Sequence, residues 1–433
     1  MYIKKVEFTN LRCFKHGEMD FRYPGDGITV PDGVPNLENV NLILGVNGAG
    51  KTTALKAIAL GLIAQMPSTG FIPNSLIRHE FNIENFLIRH ELNSKTQNGN
   101  LSTINLDLNI SSAKERHFGA EIISIRSTEV LNTLDKSNDE AFYDEESPDY
   151  FMVAYGATRR TESGDFEPSS RRKLRSGRYE RVAGLFEDHL AMTPLSKWAF
   201  QYSNRESIPV LILKLFPIVN RLLPSHLRLQ TLVGNENKID MNFTENEIIV
   251  HFEALSDGYR AYIGWITDLL YHIMNVTKGS NIENLKGVVM VDEIDLHIHP
   301  SWQKTIIEQV ARAFPNLQFI FTTHSPIVAG SVSSQNLWIA KTAEDGSSIL
   351  ERPSREIYGL NADQILTSDI FGLQSTRAEG FLQELDTLEQ KAIDGDEDAA
   401  LALMRGMALG KGAVEPKEPP AWVKQATKTS KKL

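Results

Sequence analysis

Apolar and polar positions alternate with a period of two at the start of the chain. Val6 and Phe8 sit between charged or polar neighbours, and Met19 and Phe21 repeat the pattern. That period predicts half-buried strands, and Pro24-Gly25-Asp26-Gly27 and Pro31-Asp32-Gly33 supply turns. The run 40–44 reads as a further strand. It leads into a glycine-rich loop and then a helical pattern over 53–65, with Leu55, Ile58, Ala59, Leu62 and Ile63 on one face. Beyond it the alternation over 101–110 predicts a half-exposed strand, and 151–155 an apolar one. Residues 135–149 are acidic and polar and read as a loop, whereas 182–225 are apolar-rich and helical in pattern.

The second half is more regular. Strand patterns occupy 247–252, 288–291 and 319–321, the latter two as continuous apolar runs that suit strands buried on both faces. Helices are predicted over 259–275, with Tyr262, Trp265, Ile266 and Leu269 at helical spacing, and over 301–314, through Trp302, Ile306, Val310 and Phe314. The turn Glu344-Asp345-Gly346 predicts a hairpin between 337–339 and 348–350. Helical patterns run from 360 to 408, and 411–433, with two adjacent prolines and several lysines, reads as a flexible tail. No heptads are sustained and no internal repeat stands out.

Composition narrows the class. At 433 residues, 41% hydrophobic and 23% charged, the chain can build a sizeable core. Its apolar runs fall well short of the roughly 18 residues that span a bilayer, and residues 1–12 lack an apolar signal core. The single cysteine, Cys13, suits a reducing compartment; a cytoplasmic location is expected. A net charge of −10 argues against a surface built wholly for nucleic acid. The stretch 159–181 runs against that balance, with eight Lys or Arg and four Asp or Glu, a local +4. Arg159, Arg160, Arg171, Arg172, Lys173 and Arg175 are therefore candidates for a DNA or partner contact; the alternative is a solvated loop.

The chemistry centres on residues 45–52, which fit the phosphate-loop pattern G-x-x-x-x-G-K-[ST] between a strand and a helix. Glycines let backbone N–H groups of Asn47, Gly48, Ala49, Gly50, Lys51, Thr52 and Thr53 close around phosphate oxygens. Lys51 reaches the terminal phosphates of ATP, and Thr52 holds Mg²⁺. The run 288–291 ends in Asp292 and Glu293, which places two carboxylates at the tip of a buried strand. Asp292 completes the Mg²⁺ shell, and Glu293 polarises the attacking water. A second buried run ends in Thr322-Thr323-His324-Ser325, and His324 can bond a γ-phosphate. Two histidines, His297 and His299, follow Asp295 without a ligand cluster beside them.

Ser256, Asp257 and Gly258, within LSDGYR, read in isolation as a helix cap. The string nevertheless resembles the LSGGQ-type signature of ABC ATPases in their SMC and RecF branch. The order of the motifs is the same: phosphate loop, long insertion, signature, carboxylate pair, D-loop, switch histidine. DEIDLHIHP resembles small RecF-like and overcoming-lysogenization-type ATPases. With TTHSP and the segment 358–366, it is most similar to the ATPase of Septu-type anti-phage systems, including those attached to retrons. The D-loop departs from the usual pattern, since Ile298-His299 stands where Leu-Asp is common; Asp295, His297 and His299 are its candidates. The Q-loop glutamine has no clear counterpart, with Gln65 or the segment 154–159 in its place. Arg12, after Asn10-Leu11, matches a nucleotide-approaching arginine of the branch.

The resemblance implies an α/β fold: an ABC-ATPase-like P-loop nucleotide-binding domain with a β-rich N-terminal subdomain, an inserted helical lobe and a helical C-terminal region. The expected divisions are 1–70 and 246–355 for the ATPase head, 71–245 for the insertion, 356–410 for a helical partner-binding region and 411–433 for the tail. It also implies a homodimer or higher oligomer with ATP sandwiched between copies, Ser256 and Gly258 acting in trans, and an HNH-type nuclease on a separate chain. No nuclease chemistry of its own and no membrane contact are expected. The alternatives are a RecF- or SMC-like ATPase acting on DNA directly, and a nucleotide-gated scaffold with negligible turnover.

Overall fold

The computed structural model describes residues 1–63, 101–110, 114–125, 128–133, 147–161, 177–187, 191–195, 198, 208–234, 239–280 and 282–409. The chain divides into two compact units, Met1–Phe371 and Gly372–Leu433. Gln65, the tail and most of the acidic loop 135–149 lie outside the described residues.

The first unit contains the strands β1 (Tyr2–Leu11), β2 (Phe14–Asp20), β3 (Val40–Gly45), β4 (Leu101–Ile110), β5 (Lys114–Ile125), β6 (Thr128–Thr133), β7 (Phe151–Tyr155), β8 (Gly287–Val291), β9 (Leu317–Thr323), β10 (Leu337–Thr342) and β11 (Ser348–Glu351). Six of them form the central sheet in the order β11-β10-β3-β9-β8-β7. Every pairing in it is parallel except that of β10 with β11. β3, β7, β8 and β9 are buried at every position, which is why their sequences are mostly apolar, with Asn41, Gln318, Thr322 and Thr323 as buried polar exceptions.

Alternate side chains of these strands feed different cores. Leu42, Leu44, Val289, Val291, Phe319 and Phe321 join the cluster that includes Tyr262, Trp265, Ile266 and Leu269 of helix α2 (Asp257–Thr277). Ile43, Val288, Met290 and Ile320 join the other cluster, with helix α1 (Lys51–Ile63) and residues of β1 and β2. The sheet is thus covered on both faces, the doubly covered arrangement of an α/β P-loop domain.

A second sheet, antiparallel, runs β2-β1-β4-β5-β6. The strands over 101–133, expected within an inserted lobe, extend this N-terminal sheet, because β4 pairs with β1 from Tyr2↔Asn109 to Thr9↔Thr103. β7, also expected there, is the edge of the central sheet. The insertion keeps the helix Ile208–Leu222 and a three-stranded sheet formed by Leu227–Gly234, Ile239–Glu245 and Ile248–His251.

The helix expected over 301–314 is two: α3 (Pro300–Gln303) and α4 (Ile306–Ala313). Thr305, at φ −121°, interrupts them although the i, i+4 apolar pattern continues through the break. The hairpin of β10 and β11 forms as its turn predicts. Of the helical stretch expected over 360–408, Ala362–Leu366 belongs to the first unit, where a capping box from Asn361 and Gln364 starts it. The second unit, taken by itself, is a helical hairpin, Glu379–Ile393 and Glu397–Leu409.

Buried amides tie the layers together. Gln318 is fully buried on β9; its side chain accepts from the Ile3 N–H at 2.7 Å and donates to the Ile3 and Arg22 carbonyls at 2.8 Å. Asn41 accepts from the Arg22 N–H and donates to its carbonyl. Both link the central sheet to the strand pair β1–β2. Replacing Gln318 by Leu removes its bonds to the Ile3 N–H and carbonyl and leaves the Arg22 carbonyl to Asn41 alone, so stability should fall by about 2–4 kcal/mol, read as a lower midpoint in guanidinium unfolding.

Candidate functional site

The site forms at the C-terminal ends of three adjacent parallel strands, β3, β9 and β8, where an open α/β sheet holds its ligand. β3 runs into the glycine-rich loop. Gly50 is left-handed at φ +97°, and a Cβ there would lie 2.5 Å from the Phe14 ring and 2.8 Å from Cys13 Sγ. The β1–β2 turn is therefore packed against the loop, which explains why only glycine fits. Arg12 stands in that turn, exposed and left-handed at φ +48°. Asn47 and Gly48 are exposed at the loop tip, and Ala49 and Thr53 are buried. The first helical bond of α1 runs from the Ala54 N–H to the Gly50 carbonyl. Helix geometry therefore leaves the N–H groups of Lys51, Thr52 and Thr53 without intrahelical acceptors, beside the positive end of the helix dipole.

Lys51 is buried, at 5% exposure. Its Nζ donates to the Gly45 carbonyl at 2.9 Å and the Val46 carbonyl at 3.1 Å, and lies 3.2 Å from His324 Nδ1. An ammonium only donates, so Nδ1 accepts, and a neutral His324 carries its proton on Nε2. That nitrogen is 3.5 Å from Glu293 Oε1. Thr52 Oγ1 donates to Asp292 Oδ2 at 2.7 Å, and Thr322 Oγ1 donates to Asp292 Oδ1. The phosphate loop and the carboxylate pair thus meet directly. Burial lowers the Lys51 pKa, against the pull of Asp292, Glu293 and Asp295.

Glu293 is held in the left-handed region, at φ +49°. Its N–H donates to Thr322 Oγ1 at 2.7 Å, and the Ile294 N–H donates to the Thr322 carbonyl. Asp295 accepts from Thr323 Oγ1. The anchor of the carboxylate loop is thus the threonine pair of β9.

Residue 159 is placed here and not on a basic outer face. Arg159 Nη1 donates to the Asp292 carbonyl and Nη2 to the Glu293 carbonyl. Arg160 belongs to a two-residue strand paired with Ala191–Met192. Arg171, Arg172, Lys173 and Arg175 lie outside the described residues.

The signature residues start α2. Ser256 is its N-cap by backbone but makes no side-chain cap bond, and it is exposed with Asp257. Asp257 pairs with Arg260. A Cβ at Gly258 would lie 2.1 Å from the His297 carbonyl, so the start of the signature helix and the D-loop are in backbone contact. His297 is exposed, and His299 accepts from the Ser301 N–H as the cap of α3. Among the described residues no group of three or more His, Cys, Asp or Glu is arranged to hold a metal. Gln303 joins the two flanking loops: Nε2 donates to the Ile298 carbonyl at 2.9 Å, and Oε1 accepts from Ser325 Oγ at 2.7 Å.

The model of the family described as "AAA domain, putative AbiEii toxin, Type IV TA system" matches residues 40–329. The chain belongs to this family. Its relatives include "Septu protein PtuA" of Bacillus mycoides (strain KBAB4), 26% identical over 381 residues, which are 87% of this chain and 45% of that protein. They also include "Retron Vc95 probable ATPase" of Vibrio cholerae serotype O1 biovar El Tor, 33% identical over 138 residues, 32% of this chain and 27% of that protein. The chain thus spans less than half the length of these relatives. Their names agree with the ABC-type branch that the motifs resemble. A solved SMC head bound to the C-winged helix domain of ScpA is similar at a TM-score of 0.43 and 14% identity, over 82% of this chain and 98% of that one.

In this AAA-domain chain Arg159 and Gln303, with the hydroxyls of Thr322 and Thr323 from TTHSP, hold together the site that the motifs outline. The family's phosphate-loop lysine also gives a pH test. The unfolded Lys51 ammonium binds its proton up to about 10.5 and the folded one releases it at lower pH. Between those values the unfolded state holds more protons, so stability rises with pH. Wild type should gain on Lys51→Met as pH climbs toward 10.5, measured as the difference in their denaturant midpoints. A constant difference across that window would refute the buried charge.

Proposed function

We propose that the chain is an ATP- and Mg²⁺-dependent ATPase that closes as a dimer around nucleotide and controls a separate nuclease effector in anti-phage defence. The observation that carries the ATPase reading is the Thr52–Asp292 hydrogen bond at 2.7 Å. It brings the two Mg²⁺-type ligands together with Lys51, His324 and Glu293 beside them. A divalent ion held by Thr52 and Asp292 would neutralise charge on the phosphates. The oxygen-only donor pair suits Mg²⁺.

The chain's own groups divide the remaining work. The N–H groups of 48–53 and Lys51 bind phosphate oxygens, and a phosphate there competes with the Gly45 and Val46 carbonyls for Nζ. That releases His324 Nδ1 and leaves Nε2–H to donate to a terminal phosphate oxygen. Glu293 accepts the hydrogen bond of the attacking water and orients it. These roles are electrostatic and positional, as phosphoryl transfer requires.

Dimer closure is supported by exposure. Ser256 and Asp257 face solvent, the Ser256 hydroxyl makes no cap bond, and His297 is exposed beside them. The uncapped Ser256 hydroxyl at the positive end of the signature helix suits a γ-phosphate carried by a second copy. The HNH-type nuclease partner and the defence role are what the motif resemblance to Septu-type ATPases implies; relatives named "Septu protein PtuA" and "Retron Vc95 probable ATPase" support that resemblance. We place the protein in the cytoplasm, since its single cysteine suits a reducing compartment.

The test is Glu293→Gln. Turnover should fall roughly 10²–10⁴-fold while ATP drives a stable dimer on size exclusion, and Ser256→Arg should bind nucleotide yet stay monomeric. Wild type that shows no hydrolysis with or without DNA or a co-purified nuclease chain would sink the enzyme reading. ATP-dependent dimers of Ser256→Arg would sink the sandwich.

A further inference from the structure

Arg159 reaches the carboxylate loop from the far edge of the sheet. It follows β7, whose Tyr155 carbonyl accepts from the Asp292 N–H at 2.8 Å. Its guanidinium then spans two carbonyls, those of Asp292 at 2.5 Å and Glu293 at 2.8 Å. These are the peptides on either side of the Glu293 Cα. A planar fork bonded to both fixes the φ and ψ of the residue between them.

That residue is the one whose backbone is strained. Glu293 sits at φ +49°, a conformation that costs a non-glycine residue about 1–2 kcal/mol and persists only where its surroundings enforce it. The amide side of the loop is enforced from β9, through Thr322. The carbonyl side is enforced by Arg159. If the loop relaxed to the right-handed region, the Glu293 side chain would swing away from His324 Nε2, now 3.5 Å from its Oε1. Lysine cannot replace the fork, because an ammonium is a point donor without the planar pair. The guanidinium is also cationic amid Asp292, Glu293 and Asp295; burial lowers its pKa to about 10 against their opposing pull, so it stays charged at neutral pH.

We propose that Arg159 is a positioning residue for hydrolysis: its fork locks Glu293 in the left-handed conformation that aims the carboxylate at the attacking water. The proposal rests on the ATPase reading above and gives a specific task at that site to the last residue of the segment 154–159, which the sequence offers only in place of the Q-loop. A loosened loop leaves the phosphate-binding groups in place, so the loss should fall on the chemical step alone. A misplacement of about 1 Å is worth on the order of 10²-fold.

The experiment measures steady-state hydrolysis and the affinity of a fluorescent ATP analogue for wild type, Arg159→Ala and Arg159→Lys. Both variants should lose roughly 30–100-fold in kcat, with KM and analogue affinity within about 3-fold of wild type. Millimolar guanidinium should restore Arg159→Ala by at least about 5-fold and leave wild type unchanged, an effect that a purely structural role would not give. Should Arg159→Ala fail to fold, Arg159→Lys carries the same comparison. Retained kcat in Arg159→Lys, a kcat loss matched by an equal loss of affinity, or no rescue by guanidinium in a folded Arg159→Ala would each overturn the assignment. Absence of turnover in wild type would remove the ATPase reading itself, and the assignment with it.

Discussion

The register of three parallel strands is the constraint on which the site depends. Val291 lies opposite Phe321, and Phe321 opposite Leu42, so β8, β9 and β3 end within three residues of one another. β8 leads into the carboxylate pair, β9 ends in Thr322 and Thr323 with His324 next, and β3 leads into the phosphate loop. A slip of one residue in any pairing would turn alternate side chains to the other face and part Thr52 from Asp292. The two cores make such a slip costly, because they claim alternate residues of each strand. Hydrophobic burial on both faces thus sets the geometry of a wholly polar site.

The polar site draws on that rigidity. A buried ammonium at Lys51 and a left-handed backbone at Glu293 are each unfavourable alone. Glu293 follows β8 directly and Lys51 opens α1 one loop beyond β3, and both strands are buried at every position. Thr322 shows how little is needed to hold them: one hydroxyl donates to Asp292 and accepts from the Glu293 N–H, and the same residue's carbonyl takes the Ile294 N–H.

The phosphate loop, Asp292, Glu293 and His324 were legible in the sequence because each motif is contiguous and follows a buried run. The strands of the central sheet were legible for the same reason. Arg159 was read both as part of a basic stretch and as the end of the segment 154–159 standing in place of the Q-loop; neither reading reveals that a guanidinium turns inward to carbonyls 133 and 134 residues away. Gln303 and Gln318 left no signal, because a lone amide in an apolar pattern looks like surface. The pairing of β4 with β1 is non-local, and alternation predicts a strand without naming its partner. The break between α3 and α4 was hidden by an apolar spacing that continues across it. His299, a candidate for chemistry by its type, is a helix cap.

The approach of Gly258 to the His297 carbonyl bears on how such a chain can change over generations. The signature and the D-loop are far apart in sequence, yet a single methyl group at residue 258 would collide with the backbone of the other segment. Neither stretch is free to drift alone. A lineage that alters the path of residues 295–299 must open space at the start of the signature helix in the same step, so the two are inherited as one unit of shape.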